Sequence, residues 1–416
     1  MPQDSMAGTD AGRLRAAAAA DDAFGADVYR SLGAGARNTV FSPASIAAAL
    51  QMALCGARGK TAAQMAAALH LGAPDAAADG LRLLTGELDA AGGAGLTLRA
   101  PNTMWVQAGL PLSPEFTAQL RDAAAATVRP ADFAGAPTDA RAQINRLIAE
   151  QTAGKITDLL GPGAVSAATR LVLANAVYLK APWAFPFPEG ATADAPFYPG
   201  AGGADGAGSG PGGGPVGGPV GGPVGGPVGG RREAPLTVPM MRRTADLAYL
   251  RADGFRAVLL PYQASRLAMA VVLPDGPLSA LAPRLTRGLG PLLEGAARQS
   301  VALALPKFRQ RASFGLIPVL RQLGVEDAFT DAADFSGITP AERLFISAIV
   351  HQAYIDVDEK GTEAAAATAV AMRPMAMRRG PDPIPMVVDR PFLFAIVDTA
   401  TGLPLFLGHV IRPAAS

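Results

Sequence analysis

Few side chains in this chain could carry chemistry, and most of them do not assemble a site. The histidines, His70, His351 and His409, lie far apart in sequence and none has metal-ligand spacing. No Gly-x-Ser-x-Gly turn is present to expose a nucleophilic serine. The stretch "CGARGKT", residues 55–61, resembles a phosphate loop. That pattern needs glycine at position 54, where Leu54 stands, and the preceding residues read as helix rather than strand. Cys55 is the single cysteine; it excludes an intrachain disulfide and reads as a small buried apolar residue. Formal net charge is +1, so composition gives no argument for nucleic acid or an anionic membrane as partner. Nothing here points to an enzyme, a metal or a cofactor.

The unusual stretch is "DEKGTEAAAATAVAMRPMAMRRG", residues 358–380. It opens with charges and a glycine, runs through alanine, and ends in methionine, proline and arginine. Alanine is the strongest helix former, yet no amphipathic stripe runs through the segment, and both flanks read as β. The elements around it are legible in part. Residues 13–36 read as a helix. "NTVFSPASIAAALQMALCGARG" reads as a short strand and a second helix, with Pro43 near the start, where its missing N–H costs nothing. Residues 60–93 read as helical, and "LTLRAPNTMWVQ" as a β-segment. "DARAQINRLIAEQTAGKITDLL" reads as a helix stopped at Gly154, and "RLVLANAVYLKAPW" as a central strand buried on both faces. Helices dominate the first 170 residues and strands the rest, ending in two around an Ala-Thr-Gly turn. Helices early and strands late predict an α+β fold on large sheets.

Residues 199–232 repeat the unit Gly-Gly-Pro-Val. A period of four excludes collagen, which needs glycine at every third position. The segment is expected to be a disordered insertion within a domain. Asp21 and Asp22 interrupt the N-terminal alanine run, so no secretory signal is read, and no stretch reaches the roughly 20 apolar residues of a membrane span. The compartment stays open between the cytoplasm and export by an unrecognised route.

Eight stretches, taken in order, resemble one family, the serpins. They are "NTVFSPASIAAALQMAL", "INRLIAEQTAGKITDLL", "NAVYLKAPWAFPF", "VPMM", "LPKF", "LGVEDAFTDAADFSGI", "HQAYIDVDEKGTEAAAAT" and "RPFLFAIVDTATGLPLFLGHVIRP". The resemblance implies one domain over residues 1–416, with three β-sheets, eight or nine helices and a mobile reactive-centre loop, here 359–380. It implies an irreversible inhibitor whose partner is a serine protease. The protease attacks the loop as bait and forms an acyl-enzyme, and the cleaved loop inserts as a new strand in the central sheet. A monomer is implied. The heparin-binding members carry a basic helix, and the matching segment here, about 75–93, offers only Arg82, so no glycosaminoglycan cofactor is expected.

Residue by residue, the resemblance places the scissile bond at Met375-Ala376, which suits a chymotrypsin-, elastase- or subtilisin-like target. The segment from Ala376 to Pro391 is longer than in many serpins, and Arg378 or Arg379 stands as an alternative bait for a trypsin-like protease. The other alternative is a non-inhibitory, chaperone-like serpin. The hinge falls on Glu359, Gly361, Thr362, Glu363, Ala364, Ala365, Ala366, Ala367 and Thr368. Ser42, Ser45, Asn175 and His351 match a polar shutter cluster, and Trp183 and Lys307 match the breach, with Lys307 pairing Glu359. An inserted strand alternates faces. From Thr362 to Met375, one face carries Thr362, Ala364, Ala366, Thr368, Val370 and Met372, none of them charged. The other carries Glu363, Ala365, Ala367, Ala369, Ala371 and Arg373, and is expected to face solvent.

Overall fold

In the computed structural model, residues 3–33, 37–90, 95–123, 127–199, 234–363 and 382–413 are described. The Gly-Gly-Pro-Val insertion lies, apart from Pro199, outside them, as does the loop from Ala364 to residue 381.

Helix α1 (Gln3–Leu32) starts earlier than its pattern predicts and stops at Gly33, whose φ of +78° suits glycine. Strand β1 (Thr39–Phe41) leads into α2 (Pro43–Gly56). The Ser42 hydroxyl caps α2 by accepting from the Ser45 N–H, and Pro43 occupies the first turn. Every residue of α2 is buried, which is why its sequence is apolar all round. The helical reading of 60–93 breaks in two, as α3 (Gly59–Ala68) and α4 (Ala77–Ala90). His70 at φ +54° and a short 3₁₀ turn beginning at Pro74 end the first helix and redirect the chain.

The β-segment at 97–107 also divides, into β2 (Thr97–Arg99) and β3 (Asn102–Gln107), with Pro101 between them. Then come α5 (Pro114–Asp122), β4 (Thr127–Ala131), α6 (Pro137–Gln151) and β5 (Leu171–Pro182). Strands β6 (Ala193–Phe197), β7 (Leu236–Ala252), β8 (Phe255–Pro261) and β9 (Leu267–Pro274) follow. The chain continues through α7 (Gly290–Leu293), β10 (Ala297–Pro306), β11 (Phe308–Gly315), α8 (Ile317–Gln322) and β12 (Ile346–Val357). It ends with β13 (Gly361–Thr362), β14 (Ile384–Val387), β15 (Phe392–Asp398) and β16 (Pro404–Val410).

Among the described residues the strands form two hydrogen-bonded networks. One runs β1-β16-β15-β9-β8-β7-β10-β14, with β6 on β7. The 17-residue β7 pairs β8 near one end and β6 and β10 nearer the other, so where three sheets were expected it joins strands of two into one ladder. The second network, β11-β12-β13-β5-β3-β4 with β2 on β5, is the central sheet. One of its faces, from Leu171, Leu173, Val177, Leu179 and Ala181 on β5 and Ile349, Ala353 and Ile355 on β12, belongs to the main core. The opposite face carries Val172, Ala174 and Ala176. It packs beneath α6, whose Ala140, Ile144 and Ile148 recur every four residues along one side.

Candidate functional site

Strands β5 and β12 run parallel and are hydrogen-bonded directly from Ile346↔Leu171 to Tyr354↔Tyr178. Above that seam they part, and β13 enters the fork antiparallel to both: Thr362 lies opposite Val357 on β12 and Ala181 on β5. A turn brings it there. The Asp358 carboxylate accepts from the N–H groups of Lys360 and Gly361, at 2.8 and 3.1 Å, and folds β13 back on β12. Gly361 passes so close to β5 that an added Cβ would sit 2.1 Å from the Ala181 carbonyl oxygen; only glycine fits there.

The fork is walled by the residues read as hinge and breach. Lys307 Nζ lies 2.7 Å from Glu359, and the Thr192 hydroxyl donates to the same carboxylate at 2.8 Å. Burial alone would raise the Glu359 carboxyl, but these partners hold it below its ordinary range. The Trp183 indole N–H donates to the Asp358 carbonyl at 3.0 Å, and its ring stacks on Tyr262 at 4.6 Å between centroids. The Tyr262 hydroxyl in turn lies 2.6 Å from the Thr362 hydroxyl, and both residues are buried.

Lower on the seam, Ser42, Ser45, Asn175 and His351 are brought together, all fully buried. His351 and Asn175 are cross-strand neighbours on β12 and β5. The Ser42 N–H donates to His351 Nε2 at 3.0 Å, which leaves the proton on Nδ1, facing Asn175 Oδ1. The Asn175 amide donates to the Ser45 carbonyl at 2.8 Å and to the Ser45 hydroxyl at 2.6 Å. Burial pushes the His351 imidazole down to about 3, so the ring is neutral at physiological pH. A hydrogen-bond network therefore crosses the line along which β5 and β12 would separate.

One expectation is corrected. Glu363 does not face open solvent: its side chain is 16% exposed and pairs with Lys155. The face it belongs to lies under α6 and the segment after that helix. The residues read as bait, Met375 and Ala376, the alternatives Arg378 and Arg379, and those read as hinge, Ala364, Ala365, Ala366, Ala367 and Thr368, lie outside the described residues. Four participants escaped sequence reasoning. Asn102 sits opposite Asn175 and accepts from its amide, and Tyr262, Thr192 and Lys155 complete the fork. Asn102 carried a weak signal, a polar residue directly before an apolar strand. The other three are ordinary residues until the chain folds.

The fold agrees with what known proteins show. The family model for serpins (serine protease inhibitors) matches residues 19–205 and 231–413. An uncharacterized serpin-like protein of Thermococcus kodakarensis is 36% identical over 395 residues, 94% of this chain and 84% of that protein. The leukocyte elastase inhibitor of Bos taurus is 35% identical over 410 residues, covering 95% of this chain and 99% of that protein. The crystal structure of Serpin48 from the insect Tenebrio molitor superposes with a TM-score of 0.77 at 28% identity, over 96% of this chain and 98% of that one. The chain belongs to the serpin family, described as serine protease inhibitors and not as enzymes.

Proposed function

We propose that this serpin is an irreversible, suicide-substrate inhibitor of a chymotrypsin-, elastase- or subtilisin-like serine protease, with Met375-Ala376 as the bait bond. The protease serine attacks the Met375 carbonyl carbon. The bond to the Ala376 nitrogen breaks, that amine leaves with a proton, and Met375 stays as an ester on the serine. The freed loop then extends β13 down the seam. No cofactor is required.

The observation that carries this reading is the register of β13. Extending it six residues past Thr362 steps six residues back along both neighbours. Thr368 then falls opposite His351, six before Val357, and Asn175, six before Ala181. The growing strand therefore delivers a hydroxyl to the two polar residues whose mutual hydrogen bond it breaks, so neither is left unsatisfied. Ala364, Ala366 and Val370 fall opposite Ile355, Ala353 and Ile349 on the core face, all buried. Pro182 faces Gly361, so the 12 residues of β5 take up the loop as far as Met372. The ester at Met375 then sits three residues beyond Leu171, the first residue of β5, about 40 Å from the fork. The similarity to a leukocyte elastase inhibitor accords with an apolar primary pocket in the target.

The test is incubation with elastase-, chymotrypsin- and trypsin-like proteases, followed by denaturing electrophoresis and mass spectrometry of the released peptide. A denaturant-stable complex and a peptide beginning at Ala376 are expected with the first two classes. Oxidising Met375 to its polar sulfoxide should slow association sharply. A peptide beginning at Arg379 or Gly380 moves the bait to an arginine, and cleavage without any stable complex removes the inhibitory reading.

A further inference from the structure

The hinge is tied to the segment that covers its own slot. Glu363 leaves β13 at φ +48°, in the left-handed region that a side chain of this size rarely adopts. Its N–H donates to the Asp356 carbonyl at 2.7 Å, and its carboxylate pairs with Lys155 Nζ. Lys155 stands in the turn that ends α6, its own N–H donating to the Thr152 carbonyl at 3.0 Å. It is held from the other side as well. Its carbonyl accepts from Arg311, and its ammonium lies 5.6 Å from the centre of the Tyr354 ring. The Glu363 carboxylate raises the Lys155 ammonium above its ordinary range, as a close counter-ion does.

We infer that Lys155 is a positioning residue for the inhibitory reaction: it docks Glu363 on the α6 face, keeping Thr362 beneath Tyr262, so that insertion starts from a strand already two residues into the sheet. This rests on the insertion mechanism proposed above. Without the pair, Glu363 keeps only its N–H bond to the Asp356 carbonyl and the neighbouring Tyr178 hydroxyl to hold it in a left-handed conformation over a covered site. β13 then leaves the fork, and after cleavage the loop must first find it again. Insertion slows, the acyl ester has longer to hydrolyse, and more molecules are spent as substrate. The bait bond is far from Lys155 in sequence, so recognition and cutting stay as they are.

The experiment compares the intact wild-type protein with Lys155→Met, Glu363→Gln, the double variant and Lys155→Arg. Two quantities are read: inhibitor molecules consumed per protease inactivated, and hydrogen exchange of the 358–363 amides in the uncleaved protein. Each neutralising single variant should slow insertion roughly fivefold, the change that about 1 kcal/mol produces, raising consumption and speeding exchange. The double variant should be no worse than either single, and Lys155→Arg should stay near wild type. Additive effects, no rescue by arginine, unchanged exchange, or fewer inhibitor molecules consumed would each overturn the assignment. If the wild type forms no stable complex with any protease, the inhibitory reading fails instead, and the exchange measurement still decides whether Lys155 docks the hinge.

Discussion

His351 shows how one buried side chain couples the seam to pH. Its imidazole titrates near 6.5 in an unfolded chain and is pushed by burial to about 3 in the folded one. Between those values the unfolded chain binds a proton that the folded chain does not. This site therefore contributes stability that is complete above pH 6.5 and falls as pH drops toward 3, by up to about 1.4 kcal/mol per unit. His409 is lowered by burial too and adds in the same direction. His351→Gln should be less stable at pH 7, having lost the bonds to Ser42 and Asn175. It should nevertheless lose less stability than wild type between pH 7 and 5, and urea midpoints at the two values measure this. An unchanged pH slope would show that the ring is not the titrating group. Residue identity alone located His351 in an apolar strand, because hydrophobic neighbours are visible in a sequence. It did not locate Asn102 or Tyr262, whose partners are 73 and 100 residues away. Asp21 and Asp22 read only as interruptions of an alanine run. Both are buried, and Asp22 accepts from the N–H groups of Leu289 and Gly290, which no local pattern announces.

At the scale of elements, the alanines of the loop have two explanations, one for each face. The uncharged parity could be read from alternation, and Thr362, its first residue, is fully buried between β12 and β5. The other parity was read as solvent-facing because Glu363 and Arg373 lie on it. That inference failed because a sheet shows alternation on either face but does not show what lies over it. Helix α6 covers this face. By the register of β13, Ala369 would enter between Val350 and Ala174, beneath that helix. Ala369→Leu should therefore convert much of the protein to substrate while cleavage stays normal, since overpacking a filled site costs about 1–3 kcal/mol. Thr362→Arg should do so more completely, because a buried guanidinium without a partner costs several kcal/mol and also expels β13 from the fork before cleavage. The assay for both is the number of inhibitor molecules consumed per protease inactivated. Ala369→Leu at wild-type efficiency would mean that the strand does not pass under α6. Element boundaries were missed for equally local reasons: His70 in a left-handed conformation and Pro74 split one predicted helix, and Pro101 split one predicted strand.

Taken whole, the molecule holds its central sheet short of full pairing. β13 stops after two residues, while β5 and β12 are bonded to each other below it, and from Ala348↔Val172 upward their register is the one that an inserted strand continuing β13 would meet on both sides. An inserted loop would add backbone hydrogen bonds along both neighbours and bury small apolar side chains on both faces, so the cleaved form should be much the more stable one. The direct measurement is the melting temperature before and after a single cut within residues 369–376, made by a protease that is then removed. The account predicts a rise of tens of degrees, where a change of 1 kcal/mol in a domain of this size would move the midpoint by only a few degrees. A melting temperature that stays level or falls after a clean cut would contradict it, because the loop would then have gained nothing by being free to enter the sheet.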